Sequence, residues 1–448
     1  MRTILPLAAV LSLLAPAVPG AQTGPASGPR PPNIVLIVAD DLGYGDLGVY
    51  GHPTIKTPRL DRLAAEGVKL TSYYAAEPVC SASRFSLLTG RYSVRAGITG
   101  ALMPGSRTGI AAAETTLAEV LKAAGYRTGI VGKWHLGDRP GHLPTEHGFD
   151  SYFGLLYSND MIPPWVQTDV PLRLYRGLRP LDGEVDNSAL TGRYTAEALS
   201  FIRDNQAAPF FLYLAHSMPH VPLGVPASIA GRSAGGRYGD VIEMLDWSTG
   251  EVLDELARSG LERETLVIFT SDNGPWMEMP ARMFADSRIV PTDAGSAGPL
   301  RGSKATSWEG GTRVPFLARW PGRIPAGSVS SELVTGLDVL PTVAAAAGGR
   351  LPARAAIDGV DVRAVLEGKG PSPRDSFVYF SSGSARPEGI RDTRWKLRLT
   401  FPEQGAPVEA LYDLSLDPAE RFDVLRDHPD IAGRLRERLR QFAASLSR

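Results

Sequence analysis

One cysteine, Cys80, occurs in 448 residues. That scarcity excludes an internal disulfide, so packing and hydrogen bonding must carry the fold. The chain also lacks an excess of either charge: 47 Lys plus Arg stand against 48 Asp plus Glu, a formal net charge of -1. Such a balance predicts neither nucleic acid nor an anionic membrane surface as a partner. Beyond the N-terminus no segment approaches the ~20 apolar residues of a bilayer span, so stable membrane insertion is not expected. Internal repeats and low-complexity stretches are absent as well.

What remains is ordinary globular composition, 43% hydrophobic and 21% charged, in a chain long enough for a large core and a smaller second unit. The first residues, "MRTILPLAAVLSLLAPAVPGAQ", carry one positive residue, Arg2, an apolar run over 4–14, and a small-residue exit at Val18-Pro19-Gly20. This pattern predicts a signal peptide over 1–20, export to a periplasmic or secreted location, and an ordered fold from about Pro32. An exposed lone thiol is a liability outside the cell. Cys80 is therefore either buried and inert or chemically employed.

Short β-branched runs alternate with amphipathic helical patterns. "NIVLIVADD" (33–41) reads as a strand buried on both faces. "TPRLDRLAAEG" reads as a helix with Thr57 as N-cap and Pro58 at its first position. "YTAEALSFIRDN" and "GDVIEMLDWSTGEVLDELARSG" are helices, and "PFFLYLAHSMPH" and "ETLVIFTSDNG" are strands. The alternation predicts an α/β layer architecture around a largely parallel sheet. At "EGKGPSPRD" (367–375) the composition becomes that of a boundary. Beyond it, short strands and a terminal helix from about Asp430 predict a small α+β unit of roughly 75 residues.

Chemistry gathers at the strand ends, where α/β sheets bind ligands. One strand runs into Asp40 and Asp41, another into Lys133, Trp134 and His135, a third into His216 and His220, a fourth into Asp272 and Asn273. Asp40, Asp41, Asp272 and Asn273 are hard oxygen donors. Three crowded carboxylates repel one another unless a cation neutralises them, which points to Ca²⁺ or Mg²⁺ rather than zinc. His135 and His220 are the acid/base candidates. Cys80 opens the run "SASRFSLLTG" at a helix N-terminus, with Arg84 one turn on. That position predicts an activated thiolate, yet a soft thiolate suits an all-oxygen metal set poorly.

These residues resemble a known family. "CSASRFSLLTGR" resembles the signature of the type I, formylglycine-dependent sulfatases, and "VADDLGYGDLG", "GKWHLG", "SDNGP" and "RGSKATSWEGGTRVP" resemble the family's other blocks in its order. "LYDLSLDPAERFDV" resembles its C-terminal strand motif, and "YSND" with "TTLAEVLKAAGYRTGIVGKWHLG" looks most like the arylsulfatase A branch. The resemblance covers about 33–423. It implies an alkaline-phosphatase-like fold: a large mixed, mostly parallel sheet flanked by helices over 31–370, and a C-terminal subdomain with a small antiparallel sheet and helix over 371–448.

It also implies a chemistry. The cysteine of such proteins is oxidised by a formylglycine-generating or related maturation enzyme to formylglycine (3-oxoalanine), whose hydrate is a hard oxygen nucleophile. Carried over by motif, Asp40, Asp41, Asp272 and Asn273 would hold Ca²⁺ or Mg²⁺ beside modified Cys80. Arg84 would stabilise the diol, and Lys133 and Ser158 would bind the sulfate. His220 and Lys304 would assist departure of the alcohol, and His135 would deprotonate the second hydroxyl as sulfate leaves. The substrate would be a small-molecule or glycan sulfate ester. Ala82 stands where the family usually has proline, which bears on the maturation system. The competing readings are a phosphate or phosphonate ester hydrolase of the same superfamily, a cysteine hydrolase using Cys80 with His135, and a non-catalytic binder of sulfated glycans.

Overall fold

The apolar run at the start of the fold forms the strand Asn33–Ala39, with every residue buried. Its side chains alternate between two cores: Ile34, Leu36 and Val38 enter one, while Val35, Ile37 and Ala39 enter the other. That is the period-two geometry of a strand covered on both faces. Each fully buried aliphatic side chain here contributes about 1.5–3 kcal/mol. The computed structural model describes residues 30–353 and 356–446; the expected signal segment lies outside the described residues.

Phe210–Ala215 and Thr265–Ser271 flank this strand, both parallel to it. Arg127–Lys133 and then Ser151–Leu155 continue the sheet in parallel. Antiparallel strands extend it on either side, Phe316–Arg319 next to Thr265–Ser271 and Leu174–Arg176 next to Ser151–Leu155. The result is a ten-stranded mixed, mostly parallel sheet. Helices Cys80–Thr89 and Leu117–Ala123 cover one face through Phe85, Leu88, Leu117 and Leu121. Helices Pro58–Ala65, Asn187–Asp204 and Gly236–Arg258 cover the other through Leu60, Tyr194, Ile202, Ile242 and Leu256.

One local expectation is refined and another corrected. Thr57 is the N-cap residue of the helix that starts at Pro58, as expected, but its side chain makes no cap bond. Its hydroxyl instead donates to Asp61 at 2.9 Å and accepts from the Gly48 amide at 2.8 Å, which ties the preceding turn to the helix. The helix read from Tyr194 begins at Asn187, because Asp186 caps it by accepting from the Ser188 amide at 2.9 Å.

The C-terminal strands form a four-stranded antiparallel sheet, Phe377–Tyr379, Gly389–Arg391, Trp395–Thr400 and Val408–Asp413. Helix Pro429–Leu446 packs on it through Ala432, Leu435 and Leu439. This core also takes in Tyr74, Tyr92 and Leu337 from earlier in the chain. The small sheet is therefore seated on the large part, not tethered to it. Because the central strands run parallel, their C-terminal ends share one edge, and the polar residues collect there.

Candidate active site

Each site residue is placed by the element before it. Asp40 and Asp41 follow Asn33–Ala39, His135 lies two residues past the end of Arg127–Lys133, and Asp272 and Asn273 follow Thr265–Ser271. Cys80 is the first residue of its helix. At Gly132 the backbone takes φ +114°, and a Cβ there would stand 1.8 Å from the Ala215 carbonyl oxygen. Only glycine permits that bend, which immediately precedes Lys133. Among the described residues four non-glycine residues have positive φ, and three of them, Asp41, His135 and Ala305, belong to or adjoin this site. Such backbone costs about 1–3 kcal/mol per residue and is retained where geometry matters more than stability.

The side chains converge in a buried cluster. Asp40, Arg84 and Lys133 are inaccessible, and Cys80, Asp41, His135, Ser158, His220, Asp272, Asn273 and Lys304 are all buried. Cys80 Sγ lies 3.6 Å from Asp40 Oδ1 and 3.9 Å from Asp41 Oδ1. Lys133 Nζ donates to Asp40 Oδ2 at 2.5 Å and to Ser158 Oγ at 3.1 Å. Lys304 Nζ donates to Asp41 Oδ2 at 2.9 Å. Arg84 grips Asp272 Oδ2 through Nε at 2.9 Å and Nη2 at 2.8 Å, and donates to the Lys133 carbonyl at 3.1 Å. Asn273 Nδ2 donates to Asp41 Oδ1 at 2.6 Å. The structure thus brings every residue of the expected set into or beside one cluster.

Charge is balanced within it. Asp40, Asp41 and Asp272 face Arg84, Lys133 and Lys304, three carboxylates against three cations. The repulsion that the sequence alone seemed to leave for a divalent ion is already met by side chains. Burial pushes Asp40 up, but Lys133, His220 and Arg84 outweigh it and hold the carboxyl well below the usual range. Burial pushes Asp272 up, opposed by Arg84 and reinforced by Asp40. For Lys304, burial disfavours the charge, yet Asp41 more than compensates and raises it.

Here one expectation fails. A helix N-terminus predicts an activated thiolate at Cys80, but burial pushes the thiol up, and the pull of Lys133 and Lys304 does not offset it. Desolvation wins over the dipole. The residue is a thiol here, and a poor nucleophile as such.

The two histidines differ in where their protons sit. His135 Nε2 lies 3.0 Å from the Leu102 carbonyl, so it is the donor, and Nδ1 is a buried lone pair with no hydrogen-bond partner. Burial, together with Lys133 and Arg84, holds the ring well below the usual histidine range and therefore neutral. His220 Nδ1 donates to the Val221 carbonyl at 2.6 Å, leaving Nε2 3.5 Å from Asp41 Oδ2. His216, at the same strand end, points elsewhere: its Nε2 meets Ser248 Oγ at 3.3 Å, and burial lowers it to about 3. It is a core histidine.

Sequence reasoning missed Trp276. Its ring lies 4.4 Å from Lys304 Nζ and 5.4 Å from the His220 ring, a cation–π contact that orients the ammonium. Its place directly after "SDNGP" was the available signal.

Lys304 rides on a strap. Its amide donates to the Pro275 carbonyl at 2.9 Å, and the next amide, Ala305, donates to the Pro78 carbonyl at 2.7 Å. On the other side the Ser382 amide donates to the Ala305 carbonyl at 3.0 Å, and Lys396 Nζ donates to the Ser307 carbonyl at 2.9 Å. The small C-terminal sheet therefore holds the strap from behind. Lys396 in turn is locked between Glu309 at 3.2 Å and Glu420 at 2.8 Å, all inaccessible side chains.

The donor set fits a cation. One ligand atom from each of Asp40, Asp41, Cys80 and His220 lies within 4.8 Å of the others. Asn273 Oδ1 is buried beside them without a hydrogen-bond partner, an oxygen that a hard ion would satisfy. Asp272 lies outside this group of four; its oxygens accept from Arg84 and the Asp41 amide and keep lone pairs for an ion.

Comparison with known proteins agrees with this architecture. The sulfatase family model matches residues 32–349, and the model for the C-terminal region of N-sulphoglucosamine sulphohydrolase matches 303–445. Arylsulfatase A of Homo sapiens is 41% identical over 437 residues, covering 88% of this chain and 84% of the relative. N-acetylgalactosamine-6-sulfatase of Rattus norvegicus is 42% identical over 380 residues, covering 81% and 68%. A solved sulfatase from Pseudoalteromonas sp. superposes with a TM-score of 0.81 at 28% identity, covering 93% of this chain and 91% of that one. With the motif blocks in order and the charged cluster assembled at the sheet edge, the chain belongs to the sulfatase family, enzymes that hydrolyse sulfuric esters.

Proposed function

We propose that the protein cleaves a sulfate ester to alcohol and inorganic sulfate at the Cys80 cluster, with residue 80 converted to formylglycine and Ca²⁺ or Mg²⁺ held by Asp40, Asp41, Asp272 and Asn273. The observation that carries this reading is the placement of a buried, unactivated thiol 3.6 and 3.9 Å from two carboxylates. A thiol has no use there, whereas a hydrated aldehyde would supply both a nucleophilic hydroxyl and hard oxygen. A dication would bring two positive charges to a side-chain set that is balanced without it, favouring an anionic ester and the charge that builds on its leaving oxygen.

The chain's own residues supply the rest. Lys133 and Ser158 present an ammonium and a hydroxyl on one side of residue 80 for the sulfate oxygens. Arg84, hydrogen-bonded through Nε and ion-paired through Nη2 to one oxygen of Asp272, fixes the floor. Lys304 carries the proton for the departing alcohol, and His220, once protonated at Nε2 beside Asp41, holds the leaving oxygen from the other side. His135 Nδ1, buried and unpartnered, takes the proton of the second hydroxyl of residue 80 as sulfate departs. The substrate class is a small-molecule or glycan sulfate, as the name of the N-acetylgalactosamine-6-sulfatase relative supports. Among the described residues no helix is long and apolar enough to cross a membrane. We propose export to a periplasmic or secreted location, maturation by a formylglycine-generating or related enzyme, and a subdomain division at 370/371.

Mass spectrometry of the tryptic peptide spanning 70–84, with turnover of p-nitrophenyl sulfate and p-nitrophenyl phosphate, tests the reading. An aldehyde at position 80 and faster sulfate turnover are expected. A retained thiol in active protein refutes the mechanism, and preferred phosphate turnover refutes the substrate class.

A further inference from the structure

The group that decides where the His135 proton sits belongs to a loop. Leu102 lies in an irregular stretch, with exposed Ala101 and Met103 on either side. Its carbonyl accepts from His135 Nε2 at 3.0 Å, which keeps the buried Nδ1 as a bare lone pair. A base whose tautomer depends on one carbonyl of an exposed loop works only if that carbonyl is held in place.

Ser81 supplies the hold. The amide of the same residue, Leu102, donates to Ser81 Oγ at 2.9 Å. Ser81 is inaccessible and is the second residue of the helix Cys80–Thr89, whose Phe85 and Leu88 are packed in the core. The loop's other ties lie further along it: the Gly383 amide donates to the Thr99 carbonyl at 2.7 Å, and the Gly105 amide donates to Asp138 Oδ2 at 2.7 Å. Among the described residues, 100–104 are joined to the rest of the fold by hydrogen bonds at Leu102 alone. Leu102 thus has its N–H pegged to the helix that carries Cys80 and its C=O pegged to the base.

We infer that Ser81 is a positioning residue for the second half of the reaction: its hydroxyl oxygen fixes Leu102, and Leu102 fixes the orientation and tautomer of His135. The inference rests on the sulfatase reading and deepens it. In the step concerned, His135 Nδ1 takes the proton of the remaining hydroxyl of residue 80, and that oxygen closes to C=O. The C–O bond to sulfate breaks, and its electron pair leaves with sulfate. Ser81 touches none of these atoms. Transfer of sulfate to residue 80, which Lys304 and His220 assist, does not depend on it.

Two measurements test this role. Long-range proton–nitrogen NMR of isotope-labelled histidines reads the tautomer in the unmodified Cys80 protein, the His135 signals being assigned by their loss in His135→Gln. Wild type is expected to show the Nε2–H form, Ser81→Ala a mixture with the Nδ1–H form, and Ser81→Thr, which keeps the acceptor, the wild-type form. Rapid-quench turnover of p-nitrophenyl sulfate, corrected for aldehyde content by mass spectrometry, separates the two half reactions. In Ser81→Ala, loss of sulfate from residue 80 is expected to slow about 10–100-fold. The sulfated residue then accumulates behind a burst of nitrophenol, and kcat and KM fall together while kcat/KM stays within about twofold. A wild-type tautomer in Ser81→Ala overturns the inference, and so does sulfate loss at the wild-type rate. An equal slowing of both half reactions overturns it too, since that is the mark of a packing defect. If wild type bearing the aldehyde never carries sulfate on residue 80, the sulfatase mechanism fails, and the tautomer measurement still decides whether Ser81 anchors His135.

Discussion

Lys304 Nζ donates to Asp41 Oδ2 at 2.9 Å. The ammonium so held also lies 4.4 Å from the Trp276 ring, so one carboxylate and one aromatic face fix a cation at the mouth of the cluster. Lys304→Ala is expected to lower kcat for p-nitrophenyl sulfate about 10²–10³-fold, the scale of losing one preorganised group that stabilises transition-state charge. Unchanged far-UV circular dichroism would separate this from misfolding. Turnover within tenfold of wild type would remove Lys304 from the mechanism.

Chelation should separate activity from folding. Because Lys133 and Lys304 already neutralise Asp40 and Asp41, loss of the ion is expected to abolish turnover while lowering Tm by less than about 5 °C. Added Ca²⁺ should restore the rate. A collapse of Tm on chelation, read by scanning calorimetry, would show that the lysines do not carry that balance.

Glu77 provides a pH test away from the metal ligands. It is buried, Ser93 Oγ donates to it at 3.2 Å, and burial pushes it up to about 8. The folded state therefore holds this proton more tightly than the unfolded chain does. Its contribution is fully present below the ordinary carboxylate range and is lost as pH rises through 8. Glu77→Gln removes the titration, so urea denaturation should show a gain on the order of a few kcal/mol at about pH 9 and none at about pH 4. An equal gain at both would refute the burial argument.

The Lys396 lock should matter to stability. Lys396→Met leaves Glu309 and Glu420 facing each other in a site without water access. The expected loss is about 3–5 kcal/mol by urea denaturation. Adding Glu420→Gln should recover part of it, since one buried charge is then removed; no recovery would assign the loss to packing.

The strand ends were legible because physics writes them locally. An apolar run ending in Asp40-Asp41, or in Asp272-Asn273, marks both a buried strand and the edge where it emerges. His216 shows where that logic stops. It and His220 follow the same strand, and only the turn between them, which sends one ring to Ser248 and the other to Asp41, decides which belongs to the site. The predicted thiolate failed for a related reason: a helix N-terminus is visible in sequence, whereas the depth of burial that overrides it is not. Leu102, which sets the His135 tautomer, and Trp276, which steadies Lys304, act through contacts made by loop conformation, on which periodicity is silent.

Ala305 is gripped from two sides, by Pro78 next to the Cys80 helix and by Ser382 in the C-terminal region. A substitution in the small sheet therefore reaches the Cys80 cluster without touching it, because what it disturbs is the seat of Lys304.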